Sequence, residues 1–280
     1  MLPPDGLLEC PVCSQSLAPS DSSLICADQH SFDIARQGYV NLLGGGARPS
    51  TADTAEMVAA REAFLAIGHY RPIADAVAEA VGDSLSEAEG WILDAGAGSG
   101  YYLAAVLERF ERLDGLALDI SKYAARRAAR MHERIVSVVA DTWGRVPVVS
   151  GAVAAVLSVF APRNAAEFAR VLRPGGVLVT VTPTARHLQE LVDPLGLVTV
   201  EADKHERLSA GLRGSFDHER ERSVQLPLRL DRREALDLVR MGPSAHHVEP
   251  FELRERLADL PEPVAATLSV TIAVWRLAPS

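Results

Sequence analysis

The stretch Asp94-Ala95-Gly96-Ala97-Gly98-Ser99-Gly100 sets a glycine at every second position. It follows a short apolar run, Trp91-Ile92-Leu93, which reads as a buried strand. It precedes Tyr101 to Phe110, which reads as an amphipathic helix. A strand, a glycine turn and a helix in this order are how open α/β sheets bind a nucleotide. Glycine turns the chain tightly and lets the backbone approach a ligand with no Cβ in the way. An acid, Asp94, closes the strand ahead of the glycines. In the Gly-x-Gly-x-x-Gly that cradles a pyrophosphate the third glycine comes one residue later.

The elements that follow support a nucleotide site. Leu113 to Leu118 reads as a second strand ending at Asp119, 25 residues beyond Asp94. An acid there is placed to accept hydrogen bonds from both hydroxyls of a ribose. Ile135 to Ala140 reads as a third strand with Asp141 at its end. Ala152 to Val159 reads as a fourth, ending in Phe160-Ala161-Pro162-Arg163-Asn164. Doubly wound sheets bind substrates beyond the carboxyl ends of their strands, so Pro162, Arg163 and Asn164 form the candidate target-site loop. Ala165 to Leu172 reads as a helix closed by the turn Arg173-Pro174-Gly175-Gly176, with Val177 to Val181 as the fifth strand. Lys122 to Arg134 reads as a helix carrying Lys122, Arg126, Arg127, Arg130 and Arg134. That face is either solvated or in contact with phosphate. Ser223 to Leu230 and Thr267 to Leu277 read as a last strand pair around a helix from Arg232 to Met241.

All three cysteines lie near the start, as Cys10-x2-Cys13-x12-Cys26-x3-His30. Two close pairs of soft or borderline ligands suit a closed tetrahedral Zn²⁺ site that stabilises a segment too small to hold its own core. The alternative is a redox Cys-x-x-Cys beside an unrelated Cys and His. Such a pair opens a helix after a strand, whereas this one reads as the turn of a short ribbon. Residues 1–43 are therefore a zinc-binding module and 44–53 a glycine-rich linker. Residues 54–280 are the main domain, led by two helices, Thr54 to Ile67 and Pro72 to Val81. Tyr70 falls at their junction, as a ligand contact or as a buried filler. His187, with Arg186, lies in the loop after the fifth strand, where the bland reading is a surface histidine.

Cysteine placement also excludes chemistry. No cysteine follows residue 30, so the main domain has no thiol nucleophile, and no thiols remain for an iron–sulfur cluster. A net charge of −9 argues against indiscriminate nucleic-acid binding. No apolar run approaches the ~20 residues of a membrane span, and no signal peptide is evident, so a cytoplasmic protein with no membrane partner is expected.

The glycine turn with its leading acid resembles motif I of the S-adenosylmethionine-dependent methyltransferases, whose donor carries no pyrophosphate. The expected fold is thus an α/β, class I (Rossmann-like) methyltransferase with a small N-terminal zinc ribbon. Further stretches carry a more specific resemblance. They are the zinc pattern, Gly38-Tyr39-Val40-Asn41-Leu42-Leu43, Glu56-Met57, Ala60-Arg61, Phe64-Leu65, Gly68-His69-Tyr70, Phe160-Ala161-Pro162 and Met241-Gly242-Pro243-Ser244. Together they resemble the RlmA-type guanine-N1 methyltransferases of 23S ribosomal RNA, and within them the TlrB-like macrolide-resistance branch.

The resemblance implies zinc on Cys10, Cys13, Cys26 and His30. It implies S-adenosylmethionine against Tyr70, Gly98, Ser99 and His187, beside the acids Asp94, Asp119 and Asp141. Gly96 and Gly100 would then serve the turn. It also implies a hairpin in domain II of 23S RNA as substrate, protection against tylosin- or mycinamicin-type macrolides, and a homodimer. Ala97 and Ser99 depart from the housekeeping branch, so that branch's nucleotide does not transfer. Two other classes stay open from the residues alone. One is a small-molecule methyltransferase, which has no need of the ribbon. The other is a non-enzymatic zinc-ribbon RNA-binding protein, in which the glycine turn is only structural.

Overall fold

The computed structural model describes residues 1–44, 52–85, 87–197, 209–242 and 250–279. Residues 45–51 of the expected linker and the stretch 243–247, with its two histidines, lie outside the described residues.

The first three strands, β1 (Leu17–Ser20), β2 (Ser23–Cys26) and β3 (Ser31–Asp33), form a small antiparallel sheet. β4 (Tyr39–Asn41) leaves it and pairs in parallel with β7 (Ile135–Val139) at the edge of the main sheet. The last strand of segment 1–43 is thus part of the main domain's sheet.

That sheet has eight strands in the order β10-β11-β9-β8-β5-β6-β7-β4. Its centre is β5 (Gly90–Ala95), flanked by β6 (Leu113–Asp119) and β8 (Val153–Val159), with β9 (Leu172–Pro183) beyond. All of these run parallel, whereas β11 (Val264–Leu277) is antiparallel to both β9 and β10 (Phe216–Leu230). Strands buried on both faces read as continuous apolar runs, and every residue of β7 and β8 is buried. The chain winds from β5 outward through β6 and β7, then returns to the other side of β5 at β8. That reversal opens a crevice at the carboxyl ends of β5 and β8.

One face of the sheet, through Ile92, Leu157 and Val179, packs on α1 (Ala55–Ile67), α2 (Arg71–Ser84) and α3 (Tyr101–Arg109), together with α7 (Arg232–Arg240) and α8 (Pro250–Ala258). The opposite face, through Leu93, Ala95, Val138 and Leu178, packs on α5 (Ala165–Val171) and on the ribbon's Leu7, Leu8, Leu17 and Leu24. Two further helices are α4 (Lys122–Met131) and α6 (Gln189–Leu195). The ribbon therefore shares a core with the main domain. The seam is polar where it reaches solvent: Arg145 donates to the buried Glu9 at 2.7 Å, next to the first cysteine.

Local chemistry accounts for the helix ends. The Thr54 hydroxyl accepts from the Met57 N–H at 3.3 Å, and Gly68 closes α1 with φ +97°. Asp231 and Glu234 form a reciprocal capping box on α7.

Two expectations need correction. α4 stops at Met131, so Arg134 is not on the basic helix face. Its guanidinium donates to the carbonyls of Leu107, Phe110, Glu111 and Leu113, stitching the end of α3 to β6. The turn Arg173-Pro174-Gly175-Gly176 does not precede the fifth strand but bulges within it. Val153 pairs with Leu172, yet Ala155 already pairs with Val177.

Candidate functional site

β5 and β6 end side by side because the Gly96 and Ala97 N–H groups both donate to the Leu118 carbonyl, at 2.8 and 2.9 Å. The turn that follows is a glycine turn for steric reasons. Gly96 has φ +82°, and a Cβ there would stand 2.7 Å from the Ala161 side chain. Gly98 has φ +55°, and a Cβ there would stand 3.2 Å from the Arg61 guanidinium. The acceptor-side loop and a helix α1 arginine thus lie directly on the turn. Ser99 is buried, and Gly100 caps α3.

Asp119 accepts from the Gly98 N–H and the Ser121 N–H, each at 2.8 Å, one on each carboxylate oxygen. Burial raises its pKa, opposed by those two hydrogen bonds. Asp94 differs. It is 1% exposed, and neither carboxylate oxygen has a partner. Burial, and then the Asp119 charge, push its pKa up to about 8. An orphaned buried carboxyl costs free energy unless something else pairs it.

Asp53 and Arg61 extend this cluster. Arg61 pairs with the Asp53 carboxylate and donates to the Met241 carbonyl at 2.8 Å, while the Ser121 hydroxyl donates to the Asp53 carbonyl at 2.7 Å. The end of the expected linker is therefore docked on the glycine turn.

Tyr70 and His187, 117 residues apart, meet at 3.3 Å between the phenol oxygen and Nε2. The Ser269 N–H donates to Nδ1 at 3.2 Å. Tyr70 is buried, and burial raises its pKa; burial likewise pulls His187 down to about 4. The Phe160 ring stacks on His187 at 5.9 Å between centroids, with Tyr70 and Tyr102 at 6.2 and 6.4 Å. Phe160 is half-exposed and takes φ +54°, a strained value for a bulky residue.

The expected target-site loop divides by role. Pro162 is exposed. Asn164 is a structural brace: its Oδ1 caps α5, and its amide nitrogen donates to the carbonyls of Thr142, Trp143 and Gly144. Arg163 is not the surface cation that a phosphate contact requires. It donates to the Thr182 hydroxyl, its Nε is buried without a partner, and burial lowers its pKa to about 10. Asp141 accepts the Trp143 N–H at 2.9 Å.

In the ribbon, the ligand atoms of Cys10, Cys13, Cys26 and His30 all lie within 4.8 Å of one another. Cys13 Sγ is 3.7 Å from Cys26 Sγ, and His30 Nδ1 is 3.7 and 3.3 Å from Cys10 and Cys26 Sγ. A regular tetrahedron with the usual Zn–S and Zn–N lengths has S···S edges of about 3.8 Å and S···N edges of about 3.5 Å. The four donors fit one zinc ion with no open position.

Sequence reading had no signal for Asp53 as a site residue. Nor does any local pattern mark Arg61 or Phe160 for the site, because their roles depend on contacts made across the fold.

The donor site suits the charge of the group it would hold. S-adenosylmethionine carries a net positive charge, and the crevice offers two carboxylates, one with no partner at all. The sheet order, the glycine turn at the switch point and the acids ending β5 and β6 define a class I S-adenosylmethionine-dependent methyltransferase that carries a zinc ribbon. Solved structures agree on the fold: YcgJ from Bacillus subtilis matches 73% of this chain and 98% of its own, with TM-score 0.51 and 14% identity. A Bacillus halodurans protein described as a methyltransferase matches 71% of this chain and 97% of its own, with TM-score 0.52 and 15% identity.

Family models match residues 8–48 as the zinc ribbon of RlmA, N-terminal, and residues 92–176 as a methyltransferase domain. A Micromonospora griseorubida protein named as a 23S rRNA (guanine-N1)-methyltransferase is 50% identical over 286 residues, 96% of this chain and 97% of its own. A Streptomyces fradiae protein, named as the 23S rRNA (guanine(748)-N1)-methyltransferase, is 48% identical, with 97% of each chain covered. The chain belongs to the family of RlmA-type 23S rRNA (guanine-N1)-methyltransferases.

Proposed function

We propose that this chain methylates N1 of a guanine in a domain II hairpin of 23S ribosomal RNA, in the cytoplasm, and so hinders tylosin- or mycinamicin-type macrolides. The guanine that names its Streptomyces fradiae relative is the first candidate. The observation that carries this reading is structural: the zinc ribbon shares an apolar core with one face of the sheet whose strands end at the donor crevice, rather than being joined to it by a tether. An RNA loop held on the ribbon would meet the carboxyl ends of β5 and β8 at a fixed distance. A small metabolite has no use for such a frame.

When bound, S-adenosylmethionine would supply a sulfonium-linked methyl group for in-line transfer to N1, with S-adenosylhomocysteine as the leaving thioether and the N1 proton released to solvent. The chain's part is to align donor and acceptor, which alone lowers a barrier by roughly 7–11 kcal/mol. Asp119 is placed for the ribose, because each of its oxygens keeps an acceptor site beyond its backbone bond. Asp94, whose buried carboxylate oxygens lack a partner, would meet the donor's positive charge. Tyr70 and His187 close the crevice below Phe160, whose half-exposed ring gives a splayed-out base a flat surface. Cys10, Cys13, Cys26 and His30 would hold a structural zinc that keeps the ribbon folded. The reading includes a homodimer, which sedimentation velocity measures.

The test is tritiated methyl transfer to naked 23S RNA, with small-molecule extracts as the comparison. Label in RNA supports the reading. Label confined to metabolites, or no binding of S-adenosylmethionine by calorimetry, overturns it.

A further inference from the structure

Residues 141–148 connect β7 to the start of the segment leading into β8, and they form a ledge fastened from several sides. The Asn164 amide holds the carbonyls of Thr142, Trp143 and Gly144, at 3.2, 3.0 and 3.0 Å. Glu167 accepts the Val146 N–H at 2.8 Å, and Arg170 donates to the carbonyls of Val146 and Val148, each at 2.7 Å. Arg145 pairs with Glu9 of the ribbon, and Leu8 bridges to Val148. Trp143 rides on this ledge 66% exposed, with no ring partner among the described residues. Trp275 is buried and Trp91 partly so, which leaves Trp143 as the one largely exposed tryptophan of the chain's three.

A large apolar ring on a mobile tip needs no explanation. A ring displayed on a backbone held by six side-chain hydrogen bonds does, because the ledge would be equally well held with a polar residue at that position. Its place is informative as well. One fastening, Asn164, comes from the loop expected to face the target base, and another, Glu9, precedes the first zinc ligand. The ledge is thus fastened both to the ribbon and to the loop after β8, so an RNA strand running from the one to the other would pass it. Unpaired RNA bases are gripped by stacking on aromatic faces, which any base satisfies.

We propose that Trp143 is a stacking platform for an unpaired base next to the target guanine, which holds the hairpin loop in register with the crevice. This rests on the ribosomal RNA reading above. The rival occupant is the adenine of the donor, since Asp141 is only two residues away.

The experiment uses tryptophan fluorescence on the full zinc-loaded chain, with a synthetic hairpin carrying the target guanine and, separately, S-adenosylhomocysteine. The hairpin should quench the wild-type emission, and Trp143→Phe should remove that quench. Trp143→Ala should raise KM for the hairpin by about 10-fold or more, with donor affinity and zinc content unchanged. Quenching by S-adenosylhomocysteine alone would assign the ring to the adenine and overturn the proposal. So would an unchanged hairpin KM in Trp143→Ala, or a quench that survives in Trp143→Phe. A wild-type chain that neither binds nor methylates the hairpin would instead defeat the underlying functional reading, and the proposal with it.

Discussion

The phenol oxygen of Tyr70 lies 3.3 Å from Nε2 of His187, and the Ser269 N–H donates to the other ring nitrogen at 3.2 Å. The second contact assigns the tautomer: Nδ1 accepts, so the neutral ring carries its proton on Nε2 and donates it to Tyr70. The Tyr70 hydroxyl proton is then free for a ligand. Burial holds His187 neutral, with its pKa pulled from 6.5 to about 4.

Stability should follow that shift. The unfolded chain takes up a proton near pH 6.5 that the folded chain refuses until about pH 4. The stability His187 contributes is therefore fully present above pH 6.5 and falls across this window, by about 3 kcal/mol in total. Denaturant unfolding at pH 7.5 and pH 4.5 should show a smaller loss in His187→Gln than in the wild type. Equal losses would mean that the ring is protonated in the folded state.

Asp94 gives a prediction of opposite sign. Its folded pKa is raised to about 8, so the ligand-free protein loses stability as pH rises from about 4 towards 8. The cationic donor favours the charged carboxylate, so binding at pH 7 should release up to one proton. Calorimetry in buffers of different ionisation enthalpy measures it. Asp94→Asn should abolish the release, flatten that part of the stability profile and weaken donor binding about 10-fold or more.

The shared core predicts that zinc supports more than the ribbon. Zinc binding by small ribbons is worth roughly 10–16 kcal/mol. Here Leu7, Leu8, Leu17 and Leu24 pack with Leu93 and Val138 of the main sheet. Cys26→Ser, or a strong chelator, should lower the single calorimetric transition of the whole chain by about 10 °C or more. A main transition that stays in place while a small one disappears would show two independent units.

Much of this was legible because it is local. The glycine turn, the acids ending β5 and β6, the Thr54 and Gly68 caps and the zinc pattern each depend on residues a few positions apart. What escaped depends on distant partners. Tyr39–Asn41 belongs to the main sheet only because β7 leaves an open edge there. Arg134 reads as part of a basic helix until the carbonyls of four other residues claim it. Arg163 reads as part of the target-site loop, but its guanidinium is partly buried and donates to the Thr182 hydroxyl. Asn164 reads as part of a target site, although its amide braces the neighbouring loop.

The central claim is methylation of guanine at N1, and reverse transcription of enzyme-treated 23S RNA tests it most directly. N1 methylation removes a Watson–Crick donor, so extension should stop one nucleotide before a single guanine in the domain II hairpin. The stop should appear only when S-adenosylmethionine is present. Full-length product from RNA that has incorporated labelled methyl groups would contradict the account, because the methyl would then sit on an atom that leaves base pairing intact.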